Sequence, residues 1–246
     1  MGAPLDPGSY DWSIASSVAP TEDEVFRLTY AAQVEWATEG TFDSLDISDD
    51  PVVHDFLRVW LAQEIVHGEL LARFLAESGV QVPKLHRTEQ QRRAAQRGRR
   101  VNQVAHRLLG DDFFGVHMMW GAVNELTTLR FYRMIRRDSE NPLLRQILRD
   151  LVTQESLHYA FYRSMAVERL DGNRRAQRLV RAALRHLWSP VGVGLRSQAD
   201  ADRLFLGLLD HEPAQAAQID AAIERVPGLE GLHLVGRTLD RARRAA

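Results

Sequence analysis

The sequence contains no cysteine, a single lysine (Lys84) and no long uninterrupted run of apolar residues. The absence of cysteine excludes disulfide scaffolds, zinc sites with thiolate ligands, iron–sulfur clusters and thiol nucleophiles. No run approaches the roughly 18 apolar residues that a membrane-spanning helix needs, so we expect no transmembrane helix. Residues 1–20 lack the basic and apolar regions of a secretory signal, and we therefore expect a cytoplasmic protein.

Acidic and basic residues are unevenly distributed, although the formal net charge is only −2. Residues 1–80 hold 15 acidic side chains and three basic ones, whereas residues 84–107 hold eight basic side chains and one acidic one. The central arginines of this basic segment are Arg92, Arg93, Arg97, Arg99 and Arg100. Such a charge run is typical of a solvated helix face. The functional alternative is a dock for an acidic carrier protein. Nucleic-acid binding is not expected, because no recognition motif accompanies the charge.

Helical periodicity runs through almost the whole chain. Apolar residues recur at spacings of three and four, and glycine and proline are confined to separated points. Asp50-Pro51 and Asn141-Pro142 each place an N-cap residue before a proline at the first helical position. We expect four core helices at about 21–45, 51–78, 112–137 and 142–170, with shorter helices packed outside them. Residues 21–246 are predicted to form one helical domain, preceded by an N-terminal extension of residues 1–20.

Glu-x-x-His occurs three times, at Glu64–His67, Glu155–His158 and Glu230–His233. Residues three apart share one helix face, so the glutamate and the histidine can reach the same metal ion. The first two motifs lie among apolar residues, where an unpaired ionisable group would be costly to bury. The third contains Gly231 and is preceded by Pro227-Gly228, and we do not expect it to bind metal.

A lone glutamate precedes each of the first two motifs. Glu35 lies 29 residues before Glu64, and Glu125 lies 30 residues before Glu155. At about 1.5 Å per helical residue, each lone glutamate lies at nearly the same level of its hairpin as the Glu-x-x-His motif. Glu39, one turn beyond Glu35, competes with it but would be displaced by about 9 Å along the helices. We therefore favour Glu35.

The two hairpins together offer four carboxylates and two imidazoles, from Glu35, Glu64, His67, Glu125, Glu155 and His158. This is the ligand set of the ferritin-like dinuclear carboxylate proteins, in which two helices each supply a glutamate and two others each supply Glu-x-x-His. It favours two iron ions, with manganese possible in one or both positions. We therefore predict an all-α fold, a ferritin-like four-helix bundle with additional flanking helices. The alternative is that these residues are surface charges on amphipathic helices.

Several segments share a pattern with a known family. The strongest segment, 60–79, contains Trp60, Glu64, His67-Gly68 and Leu70-Leu71, and it ends with Ser78-Gly79. Thr128 follows Glu125 by three residues, and Gln154 directly precedes Glu155. In this pattern the chain resembles the soluble acyl-acyl-carrier-protein desaturase family over about residues 26–165.

The resemblance implies a four-helix core with two irons that uses oxygen and reducing equivalents to desaturate a fatty acyl chain. The acyl chain would be carried on acyl carrier protein, the electrons would come from a ferredoxin-type donor, and a homodimer is expected. Thr128 shares the metal-facing side with Glu125 and is the candidate catalytic residue, a hydroxyl beside the oxygen-binding position. Back-bonding of Thr128 to its own helix is the alternative. Tyr132 and Tyr162 continue these helix faces and are interpreted as core aromatics.

Two glutamines depart from the family pattern. Gln63 and Gln154 stand where the family usually has a carboxylate before the ligand glutamate. An amide oxygen can accept an imidazole N–H as a carboxylate does, but it brings no negative charge. Three alternative functions stay open: a hydroxylase of the same superfamily, a non-catalytic iron-binding or storage protein, and an arginine-rich helical adaptor without metal.

Overall fold

A computed structural model describes the backbone of residues 2–38, 50–85 and 88–246, and their side chains except at positions 90–92, 94, 95 and 99. Within these ranges the chain forms helices, turns and loops but no β-strand, and one isolated backbone bridge joins Val193 and Arg196. The all-α, ferritin-like fold class expected from the sequence is confirmed. No helix among the described residues has the length and hydropathy needed to cross a bilayer.

Long helices occupy the positions that the sequence predicts. The α-helices are α1 (Glu22–Trp36), α2 (Pro51–Glu77), α3 (Glu89–Leu109), α4 (Asp111–Asp138), α5 (Pro142–Leu170), α6 (Arg174–His186), α7 (Gln198–Leu209), α8 (Pro213–Glu224) and α9 (Leu234–Ala245). Two short 3-10 helices, Pro7–Ser9 and Trp12–Ser17, precede them. The bounds of α2, α4 and α5 agree with the predicted ones to within one residue.

Local capping explains where three of the long helices begin. The hydroxyl of Thr21 accepts the backbone N–H of Glu24 at 3.1 Å, and the Glu24 carboxylate accepts the N–H of Thr21 at 2.9 Å. Asp50 and Asn141 cap α2 and α5 through their side-chain oxygens, each followed by a proline. Each cap satisfies N–H groups of a first turn that have no partner inside the helix.

The first helix ends at Trp36, earlier than the predicted end near residue 45. The N–H of Ala37 bonds to the carbonyl of Val34 at 3.0 Å, and the N–H of Thr38 bonds to that of Glu35 at 3.1 Å. These bonds span three residues, which tightens the last turn and ends the helix. The rest of the predicted stretch, 39–45, lies outside the described residues, and so does the competing candidate Glu39.

The contacts divide the chain into two compact units. Unit 1 comprises Met1–Ala95 and Phe131–Leu157, and unit 2 comprises Gln96–Arg130 and His158–Ala246. In unit 1, α1 packs against α2, and so does the 3-10 helix Trp12–Ser17. In unit 2, α9 packs against α7 and α8.

A glycine allows α1 to approach α2 closely within unit 1. A Cβ atom at Gly68 would lie 2.7 Å from Cδ1 of Trp36 and 3.1 Å from the carbonyl oxygen of Ala32. Because contacts this short leave no room for a side chain, the spacing of the two helices depends on glycine here. Gly68 directly follows the candidate ligand His67, so this spacing is set beside the candidate site.

The N-terminal segment 2–18, which we call the strap, packs onto unit 1. Tyr10 and Ala15 are buried. The Asn141 side chain donates hydrogen bonds of 2.8 Å to the carbonyl oxygens of both Ala15 and Val18. The same asparagine therefore caps α5 and fixes one end of the strap.

We expect Gly68→Ala to lower the free energy of unfolding by about 1–3 kcal/mol, the usual cost of inserting a methyl group into a well-packed interior. The matched control is Gly98→Ala on α3, where an added Cβ meets nothing within 4 Å. Alanine favours helix over glycine, so the control should gain up to about 1 kcal/mol. Chemical denaturation of both variants measures the difference. Equal effects at the two glycines would contradict the close approach at Gly68.

Candidate metal centre

Four of the six predicted ligands converge within unit 1. Glu35 comes from α1, Glu64 and His67 come from α2, and Glu155 comes from α5. One candidate ligand atom of each residue lies within 4.8 Å of those of the others. All four side chains are buried, with exposed fractions of 4% or less. We call these four residues the carboxylate cluster.

The imidazole of His67 has a defined orientation in the carboxylate cluster. Its Nδ1 atom lies 3.0 Å from Oε1 of Glu155 and 3.9 Å from Oε2 of Glu64. Its Nε2 atom lies 2.8 Å from Oε1 of Gln154. An amide oxygen only accepts, so Nε2 of His67 carries the proton and donates it. Nδ1 faces the carboxylates of Glu64 and Glu155.

Burial and mutual repulsion dominate the electrostatics of the carboxylate cluster. Burial raises the pKa of Glu35 well above its ordinary value, and the charges of Glu64 and Glu155 raise it further, whereas His67 acts in the opposite direction. Carboxylates this close cannot all ionise cheaply in a buried site. A divalent cation would offset their repulsion, and a donor set of carboxylates and one imidazole suits iron or manganese.

The Tyr132 side chain also contacts the carboxylate cluster, and the sequence pattern did not predict this contact. The Tyr132 hydroxyl donates a hydrogen bond to Oε1 of Glu35. Burial and the nearby charges of Glu35 and Glu155 raise the pKa of Tyr132 well above its ordinary value, so the phenol keeps its proton. Tyr132 is a buried core aromatic as expected, but it also contacts a candidate ligand. Its position seven residues after Glu125, two turns along one helix face, is the signal that points to it.

The remaining two predicted ligands lie together in unit 2. Nδ1 of His158 is 3.5 Å from Oε2 of Glu125, and both side chains are buried. Thr128, the candidate catalytic residue, is half-buried on α4. The neighbouring Thr127 donates to carbonyl oxygens of its own helix at 3.1 and 2.8 Å. The role of Thr128 stays a prediction.

The third Glu-x-x-His motif has a different arrangement. His233 is 69% exposed in its side chain, and its Nδ1 atom lies 3.0 Å from Oε1 of Glu224. The Glu230 carboxylate accepts the backbone N–H of Gly228 at 3.2 Å. The two residues of the motif therefore have separate partners at the surface of unit 2.

Part of the predicted arginine patch is exposed on α3. Arg93, Arg97 and Arg100 are exposed, and Arg93 forms an ion pair with Glu89 one turn earlier. The side chains of Arg92 and Arg99 lie outside the described residues.

A comparison with known families identifies the chain's relatives. A family model described as fatty acid desaturase matches residues 24–187, which is 164 of the 246 residues. The matched span contains all six predicted ligands. A search of curated proteins finds no match.

We expect Glu35→Gln to stabilise the protein when it is prepared without divalent metal. The folded-state pKa of Glu35 is raised, so ionisation of Glu35 destabilises the folded state as pH rises through that pKa. The variant should gain about 1 kcal/mol or more at neutral pH, because one pKa unit corresponds to about 1.4 kcal/mol. At acidic pH, where Glu35 is protonated in both states, the gain should vanish.

Chemical denaturation across this pH range measures the effect of Glu35→Gln, with Glu22→Gln at an exposed position of the same helix as the control. With divalent iron added, the wild type should be more stable than Glu35→Gln, because the wild-type carboxylate binds the cation. A variant that is no more stable than wild type at neutral pH would contradict the repulsion.

Proposed function

Because the chain belongs to the fatty acid desaturase family, we propose that it is a di-iron oxidase that removes two hydrogens from a saturated acyl chain on acyl carrier protein. The observation that carries this proposal is the buried carboxylate cluster of Glu35, Glu64, His67 and Glu155. A buried set of repelling carboxylates with one imidazole is costly unless it binds cations. Its residues therefore have a functional explanation and no evident structural one.

We assign six metal ligands to this centre. The carboxylate cluster supplies four of them, and Glu125 with His158 supplies the other two. Glu155 and His158 lie three residues apart on the continuous helix α5, so one helix face carries a ligand of each set. Four carboxylates and two imidazoles match the donor requirement of two iron ions, and manganese is chemically compatible in either position.

When bound, the two ions would supply the reduction of O2 and the oxidising power needed at an unactivated C–H bond. In the balanced reaction, –CH2–CH2– becomes –CH=CH–, while O2, two electrons and two protons form two water molecules. The electrons would come from a ferredoxin-type donor.

The chain's own side chains would hold the site dry and position the substrate. The protonated Tyr132 hydroxyl donates a hydrogen bond to Oε1 of Glu35, which fixes the orientation of that carboxylate. Val123 and Leu129 are buried on α4, and half-buried Phe161 follows on α5. These apolar side chains would surround an acyl chain, and their placement would decide which C–H pair reacts. Thr128 would contribute a hydroxyl near the oxygen-binding position.

Turnover of a panel of saturated acyl carrier protein substrates, followed by mass spectrometry, tests the reaction. We expect about two iron ions per chain and a mass loss of about 2 Da with oxygen consumed. Glu64→Ala and His158→Ala should each lower metal content and abolish turnover. Glu69→Ala, at an exposed position of the same helix as Glu64, is the matched control and should leave both unchanged.

Each other outcome identifies a different function. A product that has gained one oxygen atom would identify the reaction as hydroxylation and not desaturation. Iron that is taken up and retained without any product would indicate a storage protein. A wild-type protein that binds no iron would overturn the proposal.

We also propose that the arginines of α3 dock the acidic carrier protein. The supporting observation is that Arg93, Arg97 and Arg100 are exposed on the helix that also carries Arg92 and Arg99. Arginine pairs well with carboxylates and phosphates, the groups that acidic carrier proteins present.

Changing Arg93, Arg97 and Arg100 to Gln together should slow association with acyl carrier protein by about tenfold or more and weaken its salt dependence. The matched control changes the same number of exposed arginines on α6, Arg174, Arg178 and Arg185. Iron content should be unchanged in both triple variants. Stopped-flow association kinetics at several salt concentrations measure the effect. Equal slowing of association in both variants would show that net charge causes the effect, and it would contradict a docking site on α3.

A further inference from the structure

The middle of the strap contacts both α2 and α5 in unit 1. The Tyr10 hydroxyl donates to the carboxylate of Asp150 on α5 at 3.2 Å. On α2, the guanidinium carbon of Arg73 lies 4.1 Å from the centre of the Trp12 ring. The indole N–H of Trp12 donates to the carbonyl of Pro7 at 2.8 Å, which folds the strap back on itself. The strap is therefore held on both helices along its length.

The first residues of the strap contact Gln63 and Gln154, which directly precede Glu64 and Glu155 of the carboxylate cluster. The side-chain amide of Gln63 donates to the carbonyl oxygen of Gly2 at 2.9 Å. The side-chain amide of Gln154 donates to the carbonyl oxygen of Ala3 at 2.9 Å. Both glutamines are buried, with exposed fractions of 1% and 7%. The same Gln154 accepts from His67 through its oxygen, so a continuous chain of hydrogen bonds runs from Ala3 to His67.

The oxygen and the NH2 group of a side-chain amide differ in hydrogen bonding, and this difference gives the strap a role. A glutamine can present either its oxygen or its NH2 group to a neighbour, and only the oxygen accepts. The Ala3 carbonyl accepts and cannot donate, so it binds the NH2 group of Gln154 and turns the oxygen towards His67. That oxygen accepts a hydrogen bond from Nε2 of His67 and so fixes the imidazole ring, whose Nδ1 faces Glu64 and Glu155.

We infer that the strap positions the metal ligand His67, because the Ala3 carbonyl selects the orientation of the Gln154 amide, whose oxygen then accepts a hydrogen bond from Nε2 of the imidazole. Gln154 is a positioning residue, and Gln63 fastens the same end of the strap through Gly2. The hydrogen bond between His67 and Gln154 is a property of the protein without metal, and only the effect on metal affinity rests on the proposed function.

The decisive variant removes residues 2–5 and leaves Gln154 in place. In histidine-labelled protein without metal, 15N–1H NMR should show a sharp, slowly exchanging Nε2–H signal of His67 in the wild type, and a rapidly exchanging or missing signal in the deletion variant. A His67→Asn variant assigns the signal. Co2+, used as the probe metal, should bind about 10–100-fold more weakly after the deletion, the usual effect of losing a partner behind a ligand histidine.

A rescue variant separates positioning from stability alone. Gln154→Glu presents two equivalent accepting oxygens, so it needs no strap to orient it. Added to the deletion variant, it should restore the slowly exchanging Nε2–H of His67 and most of the Co2+ affinity. Arg73→Gln is the matched control, because it removes the strap contact at Trp12, on a different helix from Gln154, and should change stability without changing the Nε2–H signal.

Each remaining outcome decides one claim. An unchanged Nε2–H signal of His67 in the deletion variant would overturn the inference and leave the strap a purely structural element. If the deletion variant does not fold, Gln63→Leu in the full chain decides, because it removes the contacts that fasten Gly2 and Ala3. It should speed exchange of the His67 Nε2–H and weaken Co2+ binding, and an unchanged signal with unchanged affinity would overturn the inference. A wild-type protein that binds no Co2+ would refute the metal centre, while the Nε2–H measurement would still test the strap.

Discussion

Mutual repulsion among the buried carboxylates of Glu35, Glu64 and Glu155 is the constraint on which the rest of this structure depends. Each group loses its hydration on burial, and each lies close to another negative charge, so the folded state carries a cost that packing elsewhere must offset. The three carboxylates come from three different helices, and only tertiary packing holds them together. Cations bound at such a site would relieve the repulsion that the fold maintains.

The neighbours of the carboxylate cluster limit this cost without adding charge. Tyr132 donates a hydrogen bond to Glu35, and Gln154 accepts one from His67, and neither side chain is ionised. Each orients one candidate ligand, since a hydrogen bond fixes a carboxylate or an imidazole more narrowly than packing alone. Gly68 contributes by its lack of a side chain, which lets α1 approach α2 beside His67. Orientation and spacing are thus set by residues that bind no metal themselves.

Much of the fold was predictable because its signals are local. The starts of α2 and α5 follow from a capping side chain and the proline after it, and the structure has both helices at those positions. The end of α1 was predicted too late, because apolar periodicity continues past Trp36 while the backbone turns at Ala37 and Thr38. Periodicity records which face of a helix is apolar and does not record where the helix stops.

The sequence by itself determined which side chains are candidate ligands, because three-residue spacing and equal distances from the hairpin turns are properties of single helices. Only the tertiary structure decided how those ligands are oriented. Tyr132 contacts Glu35 across 97 positions of sequence, and Ala3 contacts Gln154 across 151. Contacts between residues this far apart in the sequence leave no periodic pattern in it, since they depend on how separate elements pack. The hydrogen bond that orients His67 therefore depends on the packing of the N-terminal strap.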